Sequence, residues 1–592
     1  MPRLRPILLA LLAPLAAAAQ GVAPKLAAPA EAAAPSPEVQ ALVRREVEKA
    51  KAELRDEVRA EIQGQQSAKE FLESGTEASE KPKLDFLQLR GYFRVRGDLF
   101  DDLALKRSQD PAGYTLFPPP LGSPDKSTQT SANTRLRLEP VMNVSEQVRV
   151  LAQLDLLDGI VLGSSSAGSA AYESIGQTVP EPGKNGLDRG SIRVKRAWGE
   201  VQTPVGLLSF GRMPDQFGLG ISSNAGGGLD DDLGDNVDRF QLAVPIRQTF
   251  LGPLVVVPYY DINSSGIISQ NLGGVGQPFS LDKADERTTV GFKLARIDTD
   301  DELKRKLDAG QVVWNAAARY GYHSQSWAFS NLTGTPGVAS YNPPKVDQVR
   351  IGLAYHSVDL WGRLQGKRWR VEAEAGMRIG SQQDARLQAS DPPLGPVQIL
   401  QFGGVLRGDL QPAAKLTLGL ESGFASGDRA PGFGDQPDRG VPVAGSIDGL
   451  QAYGTLTGGQ YTYSDTSIKN FRFNPAYRVD LILWRELIGG LTDAWYVKPN
   501  FRYDFLEGLS LRFAIVYSQA VYGSSTPSTD HRPLGIEADT GLHYASDDGF
   551  HVWLDWGVLQ PLDGLGYGPN RVPGDPALVR AHAIRTGLAI KF

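Results

Sequence analysis

From Phe86 onward, apolar and polar residues alternate along the chain. Leu87, Leu89, Phe93, Val95 and Leu99 share one parity, and Arg90, Arg94, Arg96 and Asp98 the other. The same split recurs in Thr134–Val141, with Arg135, Arg137 and Glu139 on the polar side, and in Val148–Leu156, with Arg149, Gln153 and Asp155. Residues 368–379 show it most clearly: Trp369, Val371, Ala373, Ala375, Met377 and Ile379 against Arg368, Arg370, Glu372, Glu374 and Arg378. A period of two predicts β-strands with one oily and one wet face. The sequence ends in the same way, with Ile584, Leu588, Ile590 and Phe592 opposite Arg585, Gly587, Ala589 and Lys591.

A soluble sandwich and a membrane barrel both alternate, and the connections separate them. Short links are expected at Asn143–Glu146, Thr203–Gly206, Ile246–Gln248, Gln365–Lys367, Leu410–Ala413, Leu506–Gly508 and Ser546–Asp548. Long ones are expected at 100–132, 158–189, 214–235, 263–285, 324–347, 381–397, 521–532 and 560–579. Strict alternation of short turns and long loops is the pattern of an outer-membrane barrel. The predicted fold is therefore all-β, a transmembrane antiparallel up-and-down β-barrel of about 18 strands, an even number that returns both ends to one side. The parity holds only if Arg478–Ile488, which fits a short apolar helix as well as a strand, is left out. It then lies within one long external segment, 428–494, folded into or over the mouth as a candidate plug. The link Asp298–Gln311 is expected to hold a helical turn or two.

The N-terminal part differs. Arg3 and Arg5 before the apolar run Ile7–Leu15, with Ala17–Ala19 after it, predict a signal peptide over 1–19. An Ala/Pro linker follows at 20–36. Val39, Val43, Val47, Ala50, Leu54, Val58 and Ile62 make an apolar stripe on a charged helix over 37–72. That helix is placed in the periplasm, either as a coiled coil joining copies in a homo-oligomer or as a lone amphipathic helix. A polar linker spans 73–85, and the barrel spans 86–592.

Composition narrows the choice. The high counts of glycine (66) and proline (40) fit many turns. No window outside the extreme N-terminus is long and apolar enough for a helical membrane span, a test that cannot see barrels. With no cysteine, disulfides, thiolate catalysis, zinc–thiolate sites and lipidation at cysteine are excluded. A net charge of −6 argues against a nucleic-acid partner.

On the inward parity, basic residues outnumber acidic ones, although the chain as a whole is negative. Candidate pore-lining and anion-binding residues are Arg90, Arg94, Arg96, Arg135, Arg137, Arg149, Arg193, Lys195, Arg368, Arg370, Arg502 and Arg512, with Arg94, Arg137, Arg193, Arg370 and Arg502 at the expected constriction. Surplus arginine favours anions; the bland alternative is that these cations pair with neighbouring Asp and Glu and simply fill a wet interior. Asp230, Asp231 and Asp232 are a candidate divalent-cation loop, set against a plain solvated acidic loop. No catalytic motif such as G-x-S-x-G or H-E-x-x-H is present, so no enzyme activity and no cofactor are expected.

An amphipathic final strand ending on Phe592 resembles the closing strand and assembly signal of outer-membrane barrels. Further resemblance lies in Ala425-Ser-Gly-Asp428, Phe473-Asn-Pro-Ala-Tyr477, Leu534-Gly-Ile-Glu-Ala-Asp-Thr-Gly-Leu-His-Tyr544 and Trp556-Gly-Val-Leu-Gln-Pro. These are similar to the alginate-export family of outer-membrane channels. Arg196-Ala-Trp-Gly-Glu-Val with Phe210-Gly-Arg212 is similar to a strand pair shared by several porin families. The resemblance implies a diffusion channel with a basic constriction, membrane lipid and the barrel-assembly machinery as partners, and an anionic solute. The N-terminal helix is not part of that family's pattern. The rivals are a plugged, non-conducting structural or adhesive barrel and an outer-membrane enzyme.

Overall fold

The alternating strands close on themselves. The computed structural model describes residues 86–107, 127–161, 192–246, 249, 252–264, 287–329, 348–384, 396–429, 432–433, 454–457, 460–463, 467–568 and 574–592. The signal peptide, both linkers and the amphipathic helix expected over 1–85 lie outside these residues.

The first strands are β1 (Leu87–Asp101), β2 (Thr128–Asn143), β3 (Val148–Val161), β4 (Ile192–Gln202), β5 (Leu207–Pro214) and β6 (Asn236–Ile246). Next come β7 (Leu254–Ser264), β8 (Arg287–Arg296), β9 (Val313–Phe329), β10 (Gln348–Gly366), β11 (Trp369–Gln382), β12 (Val397–Ala413) and β13 (Leu416–Ala425). After three short strands, β14 (Gly454–Thr457), β15 (Gln460–Tyr463) and β16 (Ser467–Ile468), the wall resumes. It is completed by β17 (Ala494–Leu506), β18 (Leu509–Ala520), β19 (Pro533–Ala545), β20 (Phe550–Pro561) and β21 (Ala581–Lys591).

Each wall strand pairs antiparallel with the next, and β13 pairs with β17 across the long segment. The seam is β1 with β21, where Arg94 faces Ala589 and Val95 faces Leu588. The wall is thus a closed 18-stranded antiparallel up-and-down barrel. Phe592 clips the seam: its N–H donates to Gly91 O (3.1 Å), and Gly91 N–H donates to Phe592 O (3.0 Å). Closure leaves the 18 described wall strands without a free edge.

The alternation sorts inside from outside as the pattern predicts. Leu360, Leu406, Leu420, Ile515, Leu554 and Leu588 stand exposed on the outer surface, an arrangement made for hydrocarbon rather than water. Aromatics pair along that face, Trp495 with Tyr517 (5.6 Å between ring centroids) and Phe501 with Phe513 (5.5 Å).

Two connections differ from the sequence reading or refine it. The turn expected at Ile246–Gln248 is longer: β7 begins only at Leu254, after Gly252 turns the chain at φ 95°. Between β8 and β9, helix α1 (Asp300–Asp308) forms within Asp298–Gln311. Thr299 caps it by accepting from Glu302 N–H (3.3 Å), and Asp300, Asp301 and Glu302 lie in its first turn, where the helix dipole favours anions.

Candidate lumen site

Two long connections do not stay at the mouth. The segment 215–235, between β5 and β6, and the segment 467–493, ahead of β17, both fold inside the cylinder and contact its inner wall. Each is held by a wall carboxylate. Glu374 on β11 accepts N–H groups from Gly220 (2.8 Å), Ile221 (3.4 Å) and Ser222 (3.3 Å). Glu537 on β19 accepts from Leu481 (3.0 Å), Ile482 (2.7 Å) and Leu483 (3.0 Å).

The second segment is a hairpin-like excursion. Arg472 and Thr492 bridge at its neck, and Phe473 N–H donates to Leu491 O (2.8 Å). Its tip holds the stretch set aside by strand parity, now a single helical turn, Leu483–Leu487. Ile482, Leu483 and Trp484 are buried with Phe471, Phe473, Val516, Leu559 and Ala583 in one apolar cluster. So apolar an excursion has to be buried, and the inner wall of β18–β21 is where it goes. The two segments touch: Asn474 N–H donates to Ile221 O (2.8 Å) and Asn474 Nδ2 to Asp235 (2.6 Å).

The first segment carries the acidic run, and this changes the reading of the predicted basic wall. Arg94, Arg96, Arg135 and Arg137 do face inward, but they are buried beneath this loop and do not line open lumen. Arg94 donates to Leu229 O (2.9 Å), Arg96 to Asp230 (3.0 Å) and Asp232 (2.7 Å), and Arg135 to Asp231 O (2.6 Å). Arg137 makes a bidentate pair with the fully buried Asp155 (2.7 and 2.9 Å). Lys195 also reaches Asp155 (3.1 Å).

Asp230 in turn meets Arg485 of the second segment (2.5 Å), and Arg585 on β21 joins Glu486 and Asp98. Burial opposes ionisation of Asp230, but Arg485, Arg585 and Arg96 outweigh it and hold the carboxyl below its usual range. Burial pushes Asp231 upward, against the hydrogen bond it accepts from Gly228 N–H (2.6 Å). The acidic run therefore serves as a counter-charge for the wall. Among the described residues no group of three or more metal-ligating side chains exists. Gly226 permits the tight packing: at φ 64°, a Cβ there would lie 1.8 Å from Leu233 O.

The remaining predicted cations lie elsewhere. Arg149 pairs with Glu200 (2.6 Å), Arg370 with Asp409 (2.9 Å) and Arg502 with Asp504 (2.9 Å). Arg90, Arg193 and Arg512 are exposed on their strands. Arg368 is exposed in the turn between β10 and β11, off the strand that parity assigned it to.

Sequence parity missed Arg196. A β-bulge skips Lys195 in the pairing of β3 with β4, so Lys195 and Arg196 both reach inner partners, Arg196 donating to Asn236 (2.7 Å) and Ala225 O. It also missed Asp215 as a hub, which takes Arg239 (2.9 Å), Arg319 (2.9 Å) and Lys293 (3.3 Å) together. Glu374 and Glu537 sat on the inward parity, but nothing local marked them as anchors.

No protein-family model matches the chain, and no curated protein matches its sequence. Solved structures similar to it are outer-membrane proteins. OccK11 (OpdR) of Pseudomonas aeruginosa is 12% identical with a TM-score of 0.41, the match covering 85% of this chain and 96% of that one. The outer membrane channel DcaP of Acinetobacter baumannii is 11% identical, with a TM-score of 0.34 and coverage of 86% and 97%. OmpT of Vibrio cholerae, an outer-membrane protein, is 9% identical, with a TM-score of 0.34 and coverage of 87% and 100%. The assignment of the fold stands on the strand register itself.

Proposed function

We propose that this chain is an outer-membrane porin through which anionic solutes, small or polymeric, pass passively, as the alginate-export resemblance implies. One observation carries the reading: a closed cylinder with an oily outside whose inward parity carries more basic than acidic side chains. In a channel of low-dielectric walls such a lining raises the local concentration of anions. The inserted acidic loop offsets that charge in the middle of the barrel, so the preference resides at the two ends of the lumen, and the two inserted loops favour small solutes over polymers. In this reading the short turns and the helix over 37–72 face the periplasm, copies associate through that helix, and Phe592 is the signal to the assembly machinery. The solute undergoes no chemistry.

A second reading, a non-conducting structural or adhesive barrel, is favoured by the apolar cluster that the second segment builds inside the lumen. Planar-bilayer recording across a potassium chloride gradient separates the two. The porin reading expects open steps whose reversal potential favours chloride. A cation-selective channel defeats the anion preference, and no conductance under any voltage favours the structural barrel.

A further inference from the structure

Among the described residues, the ion pairs filling the middle of the barrel do not take in Arg287 and Arg378. Arg287 opens β8 and Arg378 lies on β11, both on the inward parity toward the long-loop end. Nearer the short turns these columns are matched in charge: Lys293 meets Asp215 (3.3 Å) and Glu372 meets Arg363 (2.9 Å). At Arg287 and Arg378 the matching stops. The Arg378 guanidinium lies over the Phe471 ring, 4.9 Å from its centroid, and among the described residues no carboxylate pairs with it. Arg287 Nε is shut off from solvent with no hydrogen-bond partner. Buried donors nearly always have partners, and one attached to a charge is costly to leave unmet. Both residues are only half-buried, so an unmatched guanidinium on the inward parity marks where an acceptor from outside belongs.

The strands between them lay a polar floor. His323 on β9 is bonded through Nδ1 to Thr289 Oγ1 (2.7 Å) and through Nε2 to Ser357 Oγ (2.9 Å). Its ring stacks on Tyr355, 4.3 Å between centroids. Thr289 is two residues from Arg287 along β8, and Ser357 is the register partner of Arg378. The band therefore crosses four adjacent strands, about 14 Å from edge to edge at three inter-strand spacings. The charges of both arginines act on the His323 ring. On the same strands Asp359 is committed to Arg319 (2.8 Å), and on β7 Asp261 to Arg239 (2.6 Å). The floor is thus saturated while the cations at its two edges are not.

We propose that Arg287 and Arg378, with the His323–Ser357 floor between them, form a subsite for the oxyanion group of a small solute entering from the long-loop end. Carboxylate and phosphate both present paired accepting oxygens that a guanidinium fork grips, and the half-buried Tyr355 ring gives the rest of the solute an apolar surface. The subsite rests on the anion-favouring reading above, and its test does not need the channel to conduct.

The test is calorimetric titration of the detergent-solubilised full chain with inorganic phosphate and, separately, with acetate. Saturable binding of at least one is expected, and whichever binds more tightly identifies the headgroup. R287Q and R378Q should each weaken binding by about tenfold, as loss of a charge-assisted pair implies, and the double variant should abolish it. R378K should recover only part, because an ammonium keeps the charge but not the fork. R305Q on the exposed face of α1 should leave binding unchanged. Absence of binding by the wild-type chain overturns the subsite, as does a double variant that binds normally while retaining the wild-type heat-modifiable gel band. A wild-type channel that prefers potassium to chloride defeats the anion-favouring reading on which the subsite rests, whereas failure of binding beside a chloride preference defeats the subsite alone.

Discussion

Glu374 and Glu537 perform the same task at two places on the inner wall: each carboxylate gathers three consecutive backbone N–H groups of a segment that has left the wall. Gly220 N–H also reaches Phe217 O (3.0 Å), but the N–H groups of Ile482 and Leu483 are buried and without Glu537 would be left as orphans. One carboxylate with two oxygens meets three of them, and a neutral amide cannot, because it turns a donor toward donors.

E537Q should therefore release the segment 467–493. Leaving a buried donor without its acceptor costs about 1–3 kcal/mol, so the segment loses its main polar anchor. Faster tryptic cleavage at Arg478 and Arg485, and larger single-channel conductance, are the expected readouts. Cleavage and conductance identical to the parent protein would show that Glu537 is not what holds the segment in.

The absence of cysteine allows a direct probe of where that segment rests. A Cβ built on Gly557 of β20 lies 3.0 Å from Leu481 Cβ, slightly closer than the usual separation in a disulfide, so a small shift admits the bond. The double variant L481C/G557C should oxidise to a cross-link visible as faster migration on a non-reducing gel. If the two positions react only with an external thiol reagent and never with each other, the segment does not lie against β20.

Arg137 should be one of the more expensive residues in the barrel to truncate. It is bidentate to Asp155, and both are buried. Removing one member of such a pair costs about 3–5 kcal/mol because the other charge stays behind. Here the low end is expected, since Lys195 also reaches Asp155. Urea unfolding of R137A in lipid, followed by tryptophan fluorescence, should show a lower midpoint, and R137A/D155A should recover part of the loss. An unchanged midpoint for R137A would remove the pair from the stability of the fold.

The tip of the second segment should respond to pH through Asp480. Burial, reinforced by Asp539, pushes its carboxyl up to about 7, against the pull of Lys498 and of the N–H groups of Trp484 and Arg485. The folded state therefore holds a proton that the unfolded chain releases near pH 4. This contribution favours the seated segment at low pH and weakens it as pH rises from about 4 to 7. Asp230 and Asp232, held below their usual values, act in the opposite sense only at lower pH. Hydrogen exchange across 478–488 should be slower at pH 5 than at pH 8, beyond the intrinsic rate change, and D480N should flatten the difference. The opposite trend would refute the assignment.

How much could be read without coordinates follows from the range of each interaction. The barrel was legible because a period of two and the lengths of turns are local, and every strand repeats them independently. Arg478–Ile488 betrayed itself by breaking strand parity while remaining too apolar for solvent. The fate of the basic wall was not legible. Arg94 and Asp232 are separated by more than a hundred residues, and nothing near either one states that the loop turns inward. Arg196 was hidden for a smaller reason: one bulge in β4 moves it to the inner face, and parity counting has no way to see a skipped residue.

The sequence by itself thus determined a closed sheet with an oily outside, since alternation in a wall without edges admits few other solutions. Only the tertiary structure decided what occupies the inside. Whether an inward arginine meets a solute or an aspartate depends on which loop reaches it, and that is set by three-dimensional proximity rather than by order along the chain.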